Sequence, residues 1–230
     1  MLKVLSWNIQ AGGGSRVRGI VKAIAASKSE IVVLSEYRNN ESGAKLRQLL
    51  LLAGYRYIAV THALKNDNSV CIASKLQFNS ELHPTSDEKY GANILSAHFA
   101  AFSVLGVYLP HKKKHKLFDF INSDICKSEK PYIIAGDYNS GINGVDQKGN
   151  SFWYEDDLKK MTKLEYLDAF RLVHEDAKEY SWYSHQKNGY RYDHTCIHSS
   201  FKQIIKNCHY EHSWREEKLS DHSAMVLGLG

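Results

Sequence analysis

Apolar and polar positions along this chain follow two periods, and the changes between them mark the elements. Leu2 and Val4 lead into Trp7 as a first strand. After the turn Gly12-Gly13-Gly14, apolar residues recur at Val17, Ile20, Val21 and Ile24, the spacing of an amphipathic helix. Ile31-Val32-Val33-Leu34 is a short, β-branched run that suits a buried strand. Leu46, Leu49, Leu50 and Ala53 form a second helical stripe, with Gly54 placed as its C-terminal stop. Strands are predicted at about 55–61, 68–74, 92–99 and 101–109. A helix near 116–127 then precedes another buried strand, Tyr132-Ile133-Ile134-Ala135. The last third mixes a helix near 155–165 with strands near 180–184, 190–197, 208–213 and 223–229.

Helices alternate with strands early and thin out later, where the strands read as hairpins. That order predicts an α/β (α+β) four-layer sandwich: two mixed β-sheets packed face to face, with helices on both outer faces. A doubly wound parallel sheet fits less well. The 230 residues contain no repeat, low-complexity tract or linker, so one domain spanning 1–230 is expected. Hydrophobic residues at 43% and charged residues at 24% are those of an ordinary soluble protein. No apolar run reaches the roughly 18 residues of a membrane span, and the N-terminus turns polar too early for a signal peptide. A cytoplasmic protein, with no membrane partner and no obligate protein partner, is the expectation, most simply a monomer. Cys71, Cys126, Cys196 and Cys208 form no C-x-x-C pair and read as buried, reduced thiols.

Charge changes the picture only locally. A net charge of +5 permits a polyanionic partner without requiring one. His111-Lys112-Lys113-Lys114-His115-Lys116 is one dense basic run, which taken alone reads as a solvated loop.

The candidate chemistry lies just after apolar strands. Asn8 follows the first, Glu36 follows Ile31–Leu34, and Tyr108 ends the strand through Val104–Val107. Asp137 and Asn139 follow Ile133–Gly136, Asp193 closes Tyr190-Arg191-Tyr192-Asp193, and Asp221 and His222 precede the last strand. Strand ends can bring residues distant in sequence to one edge of a sandwich and hold them rigidly. Glu, Asp and Asn are hard oxygen donors, suited to Mg²⁺ or Mn²⁺ rather than zinc. There is no Walker A sequence and no G-x-S-x-G. Hydrolysis of a phosphoester by metal-activated water needs this inventory: a cation on the phosphate, a base for the water, and donors for the developing charge.

Trp7-Asn8-Ile9-Gln10, Leu34-Ser35-Glu36, Val107-Tyr108-Leu109-Pro110, Gly136-Asp137-Tyr138-Asn139, Leu167-Asp168-Ala169-Phe170-Arg171, Tyr190-Arg191-Tyr192-Asp193 and Ser220-Asp221-His222 occur in this order along the chain. Taken together they resemble the endonuclease/exonuclease/phosphatase superfamily over nearly the whole sequence. Within it the chain looks most like the exonuclease III/AP endonuclease branch, through the Tyr108 that stands two residues before Pro110 and through Ser181-Trp182-Tyr183-Ser184. Ser35 precedes Glu36 where Gln is more usual. The resemblance implies the sandwich fold and these roles: Glu36, with Asn8 and Asp221, at a Mg²⁺ or Mn²⁺ ion; Asp137 orienting or deprotonating the attacking water; Asn139 supporting it and contacting phosphate; His222 on a phosphate oxygen, oriented by Asp193; and Tyr108 at the phosphate or leaving oxygen.

Each residue also has a plainer reading. Asn8 could cap a turn, Asp137 and Asn139 could form a loop Asx-turn, and Tyr108 could be strand packing. Asp168 and Arg171 read as a structural pair. His185, His194, His209 and His212 read as surface or partly buried. Trp153, Trp182 and Trp214 read as core, whereas Tyr190 is a candidate for contact with a nucleic acid. Beside such a site the basic run gains a purpose: Lys112, Lys113, Lys114 and Lys116 would bind phosphates without reading sequence. The activity expected is metal-dependent hydrolysis of DNA, by exonuclease III-like or endonucleolytic cutting. The alternative is a phosphatase or phosphodiesterase acting on a small substrate such as a nucleotide or lipid headgroup.

Overall fold

The computed structural model describes residues 1–83 and 92–230. In chain order the elements begin with Leu2–Asn8 (β1), Val17–Ser27 (α1), Ile31–Tyr37 (β2), Glu41–Leu52 (α2), Tyr57–Val60 (β3), Ser69–Ser74 (β4) and Asn79–Leu82 (β5). Ile94–His98 (β6), Ser103–Tyr108 (β7), His115–Phe120 (α3), Tyr132–Asp137 (β8), Glu155–Lys163 (α4), Tyr166–Asp168 (β9) and Ala169–Val173 (α5) follow. The chain ends with Trp182–Tyr183 (β10), Gly189–Tyr190 (β11), Asp193–His198 (β12), Ile205–Glu211 (β13), Ser213–Glu216 (α6) and Ala224–Leu229 (β14). No helix among the described residues is long and apolar enough to cross a membrane.

These strands form two six-stranded mixed sheets, ordered β13-β14-β1-β2-β4-β3 and β5-β6-β7-β8-β12-β9, plus the β10–β11 hairpin. Side chains alternate across each central strand, and both faces find cover, which explains the unbroken apolar runs. From β2, Ile31 and Val33 point between the sheets, where they meet Leu95, Val104, Ile133 and Ile197 of the second sheet. Val32 and Leu34 point outward, under Ile20 and Ile24 of α1 and Leu46 and Leu50 of α2. On the far side, Leu105 and Ile134 pack beneath Leu117 and Phe118 of α3 and Leu158 and Met161 of α4. The four layers of the expected sandwich are therefore present. The four cysteines are buried and unpaired, as expected.

Three details of the elements depart from the sequence reading. The helix expected near 116–127 is regular only to Phe120 and continues as a π-helical turn, Ile121–Ile125. The strand expected at 190–197 divides. Between β11 and β12, the Arg191 N–H donates to the Asp146 carbonyl, and the Tyr192 N–H donates to Ser181 Oγ at 3.0 Å. The short strand β5 is exposed throughout and carries no alternation to announce it.

The ion pairs also differ from expectation. Asp168 and Arg171 do not bond to each other through their side chains. Asp168 caps α5, accepting from the Phe170 N–H at 3.0 Å, and takes Arg191 at 2.6 Å. Arg171 reaches Asp146 at 2.6 Å instead. Arg191 is fully buried and also bonds Asp146 at 2.8 Å, so it joins the loop after β8 to the end of β9. His194, expected at the surface or partly buried, is buried as well, between Asp168 at 3.3 Å and the Ser140 carbonyl at 2.8 Å.

Burial alone would raise the Asp146 and Asp168 carboxyls, but Arg191 outweighs it and holds both below the ordinary range. Depressed carboxyls contribute stability above the unfolded value near pH 4 and lose it as pH falls further. Arg191→Ala removes the arginine of Asp168 and leaves Asp146 with Arg171 alone, and should cost about 3–5 kcal/mol at neutral pH. Urea unfolding of both proteins across pH should show that deficit shrinking in acid; a deficit independent of pH would contradict this account.

Candidate active site

The motif residues converge at one edge of the sandwich, where the ends of β1 and β2 meet the ends of β7, β8 and β12. Asp137, at the end of β8, is 1% exposed. Its Oδ2 accepts from Asn8 Nδ2 at 2.8 Å and from Asn139 Nδ2 at 3.1 Å, and its Oδ1 accepts from the Asn139 N–H at 2.8 Å. Burial, reinforced by the negative charge of Asp193, pushes the Asp137 carboxyl up to about 7 despite these donors and His222. Gly136 is required just before it: at φ +151° a side chain there would collide with the Val107 carbonyl.

Asp193 and His222 form a tight pair, with Asp193 Oδ2 2.7 Å from His222 Nδ1. Burial would lower the imidazole, but the Asp193 carboxylate outweighs it and raises His222 to about 10. The ring is thus cationic at neutral pH. Its backbone is fixed by Trp7 Nε1, which donates to the His222 carbonyl at 2.9 Å.

Glu36 occupies a register shift in β2 between Ser35 and Tyr37, with φ +56°, which turns its carboxylate toward the edge. Oε1 accepts from Asn8 Nδ2 at 3.1 Å and Oε2 from the Ala11 N–H at 2.7 Å. Asp221 accepts from Trp182 Nε1 at 3.1 Å through Oδ2, while its Oδ1 is buried without a hydrogen-bond partner among the described residues. The Tyr108 phenol oxygen accepts from Asn68 Nδ2 at 3.1 Å, and burial together with Glu36 pushes the phenol up to about 12, so it stays protonated.

Asp137, Asp193 and His222 offer donor atoms within 4.8 Å of one another, a group that could hold a metal ion. The His222–Asp193 contact occupies the space between two of those donors. Asp193 Oδ1 and Asp221 Oδ1 are both buried without a hydrogen-bond partner among the described residues, but Asp193 already pairs with His222, whereas the hydrogen bonds of Glu36 and Asp221 come from neutral N–H donors. Those two carboxylates fit a hard cation better. Asn8 is placed to orient both carboxylates: its Oδ1 accepts from the Gln10 N–H at 2.9 Å, and its amide nitrogen faces Glu36 and Asp137.

A model of the endonuclease/exonuclease/phosphatase family matches residues 5–222. The chain belongs to that family. Its fold is similar to that of an AP endonuclease from Archaeoglobus fulgidus, with TM-score 0.86 and 20% identity over 100% of this chain and 99% of that one. It is also similar to the 3′ phosphatase NExo from Neisseria bound to a product DNA hairpin, with TM-score 0.86 and 18% identity over 100% of both chains. The 3′-5′ exonuclease NExo from Neisseria meningitidis aligns at TM-score 0.82 and 19% identity over 99% of each chain. No curated protein matches the sequence significantly.

Several site residues escaped the sequence reading. Ser35 Oγ donates to the Val107 carbonyl at 2.9 Å and accepts from the Asp137 N–H at 3.2 Å, joining the two sheets at the site. Ser220 Oγ donates to the Asn8 carbonyl at 2.6 Å. Arg16 donates to the Gln10 and Leu219 carbonyls at 2.6 and 2.5 Å, beside the charges of Glu36 and Asp221. A serine within an apolar strand was the one available signal, at Ser35.

Two members of the expected nucleic-acid surface are corrected. Lys114 is fully buried; its Nζ donates to the carbonyls of Tyr138 at 2.6 Å and Asn139 at 2.7 Å, and burial lowers it to about 7. It props the Asp137–Asn139 turn and has no reach to solvent. Tyr190 is buried too, stacked on Tyr192 at 5.3 Å, with its hydroxyl accepting from the Asn150 N–H at 2.9 Å. Lys112, Lys113 and Lys116 are exposed.

A histidine raised in the folded state stabilises it fully below the unfolded value near 6.5, and that contribution is lost as pH rises through about 10. NMR of chelator-treated protein should show the His222 ring titrating far above an ordinary histidine, and Asp193→Asn should bring it down sharply. An unshifted ring in the parent protein would refute the pairing.

Proposed function

We propose that this chain hydrolyses phosphodiester bonds in DNA, using Mg²⁺ or Mn²⁺, by in-line attack of water. The observation that carries this reading is the convergence of a buried carboxylate poised near neutrality, Asp137, with a cationic His222 held by Asp193. Asp137 takes a proton from the attacking water, since a base with a value near the working pH is the most effective. Asn8 and Asn139 fix both of its oxygens, so the unshared lone pairs have one direction. His222 donates from its other nitrogen to a phosphate oxygen as charge grows there. Tyr108, still protonated, donates to the same phosphate or to the leaving oxygen. Glu36 and Asp221 would hold the cation, which would supply neutralisation of charge on the phosphate.

DNA is favoured over a small phosphoester by two considerations. The similar folds include an AP endonuclease and an enzyme seen with a product DNA hairpin. Exposed Lys112, Lys113 and Lys116 follow Pro110 closely, and His111 lines one cavity with Asn139. Such a strip suits a polyanion that extends past the reacting phosphate.

A panel of plain duplex, abasic duplex, single-stranded DNA, RNA and a generic phosphomonoester, with and without Mg²⁺, tests the reading. Cleavage of DNA should require the cation and vanish in excess chelator. Glu36→Ala should abolish it, and Asp137→Asn and His222→Ala should each lower turnover roughly 10²-fold or more. Near-normal turnover in either of the last two would mean the roles are wrongly assigned.

Replacing Lys112, Lys113 and Lys116 with Ala should flatten the salt dependence of DNA binding, by roughly one unit of log–log slope for each phosphate that a lysine no longer neutralises. An unaltered slope, with phosphomonoester turnover intact in the parent, would favour the small-substrate phosphatase.

A further inference from the structure

Trp153 is 69% exposed, the most exposed Phe, Tyr or Trp among the described residues. Its sequence suggested a place in the core, and the structure corrects this. Its neighbour Phe152 is the buried member of the pair, packed with Tyr190 and Tyr192 in a small aromatic cluster separate from the main cores. Phe152 thus anchors the segment and leaves Trp153 standing out.

The segment is pinned on several sides. The Phe152 N–H donates to Asn143 Oδ1 at 2.7 Å, and Asn143 Nδ2 returns to the Phe152 carbonyl at 3.2 Å. The Asn150 N–H donates to the Tyr190 hydroxyl at 2.9 Å, and the Lys114 N–H to the Tyr154 hydroxyl at 3.3 Å. A ring held out by a fixed backbone loses little freedom when something stacks on it.

Its surroundings indicate what that something is. Lys112 Nζ lies 5.0 Å from the Trp153 ring centre, and the His111 ring is 6.3 Å away. Trp153, His111 and Asn139 line one cavity of about 320 Å³, and Asn139 bonds directly to Asp137. An exposed aromatic face paired with a lysine, opening on a phosphoester site, matches the chemistry of an unpaired nucleotide: a flat base for the ring and a phosphate for the cation. A base inside a duplex offers no such face.

We propose that Trp153 and Lys112 form a stacking platform for an unpaired base beside the scissile phosphate, so that the enzyme prefers single-stranded or frayed DNA ends to blunt duplex. This rests on the DNA reading above and adds the form of DNA that is bound.

The test measures anisotropy of a labelled oligo-dT strand and of a labelled blunt DNA hairpin, in excess chelator to prevent cutting. Trp153→Ala should weaken oligo-dT binding at least about fivefold, the low end for one base–aromatic stack, and leave the blunt hairpin within about twofold. Trp153→Phe, which keeps a ring, should recover most of that affinity. Retention of oligo-dT affinity by Trp153→Ala, or an equal weakening on both DNAs, overturns the proposal while leaving the DNA reading in place. Parent protein that binds neither DNA overturns both.

Discussion

The site depends on burying one carboxylate between two sheets. Asp137 has almost no contact with solvent, and a buried charge is costly unless donors surround it. Its own strand supplies only part of what it needs. Asn8 comes from the first sheet, and Ser35, also from that sheet, holds the Asp137 N–H and the Val107 carbonyl of the second. Away from Asp137 the sheets meet through a mostly apolar core and polar links such as the Tyr210 hydroxyl donating to the Asp193 carbonyl at 2.6 Å, and the apolar core fixes their separation but not their register at this edge. The polar contacts around Asp137 do that. Their geometry also keeps the carboxyl near neutrality, since donors oppose burial without cancelling it.

Irregular backbone surrounds this point. Glu36 and Asn139 both lie at positive φ, and Gly136 has a conformation and a neighbour that exclude any side chain. Non-glycine residues adopt such angles at a cost, which the rigid strand ends and their hydrogen bonds offset. Lys114 shows how far the support extends. A lysine in a basic surface run is withdrawn from water to hold two carbonyls of the Asp137–Asn139 turn. Beneath β12, the Arg191 network with Asp146 and Asp168 fixes the strand that delivers Asp193 to His222.

The outer surface divides into two regions of different chemistry. Exposed lysines offer charge without direction. The cavity beside Asn139 offers shape, with Trp182, Tyr190 and Tyr192 inside and Trp153 at its rim. Trp182 lines the cavity, and its indole N–H also holds Asp221. Aromatic packing at the cavity is therefore coupled mechanically to the carboxylate proposed to hold the cation.

The sequence by itself determined the layers and put the candidate residues at strand ends. Unbroken β-branched runs at Ile31–Leu34 and Tyr132–Ala135 require cover on both faces, and helical stripes at Val17–Ile24 and Leu46–Ala53 provide it on one side; both are local periodicities. Asn8, Glu36, Asp137, Asp193 and His222 could be named because strand ends in a sandwich have few places to go. Tertiary structure alone decided which member of a local pair is buried. Lys114 differs from Lys113, and Trp153 from Phe152, by which one points inward, and that depends on where distant carbonyls and rings lie. It also chose the partners of Arg171 and Arg191, since an ion pair between loops leaves no period in the chain. The values of Asp137 and His222 were likewise beyond sequence, because burial and neighbouring charge exist only once the sheets have closed.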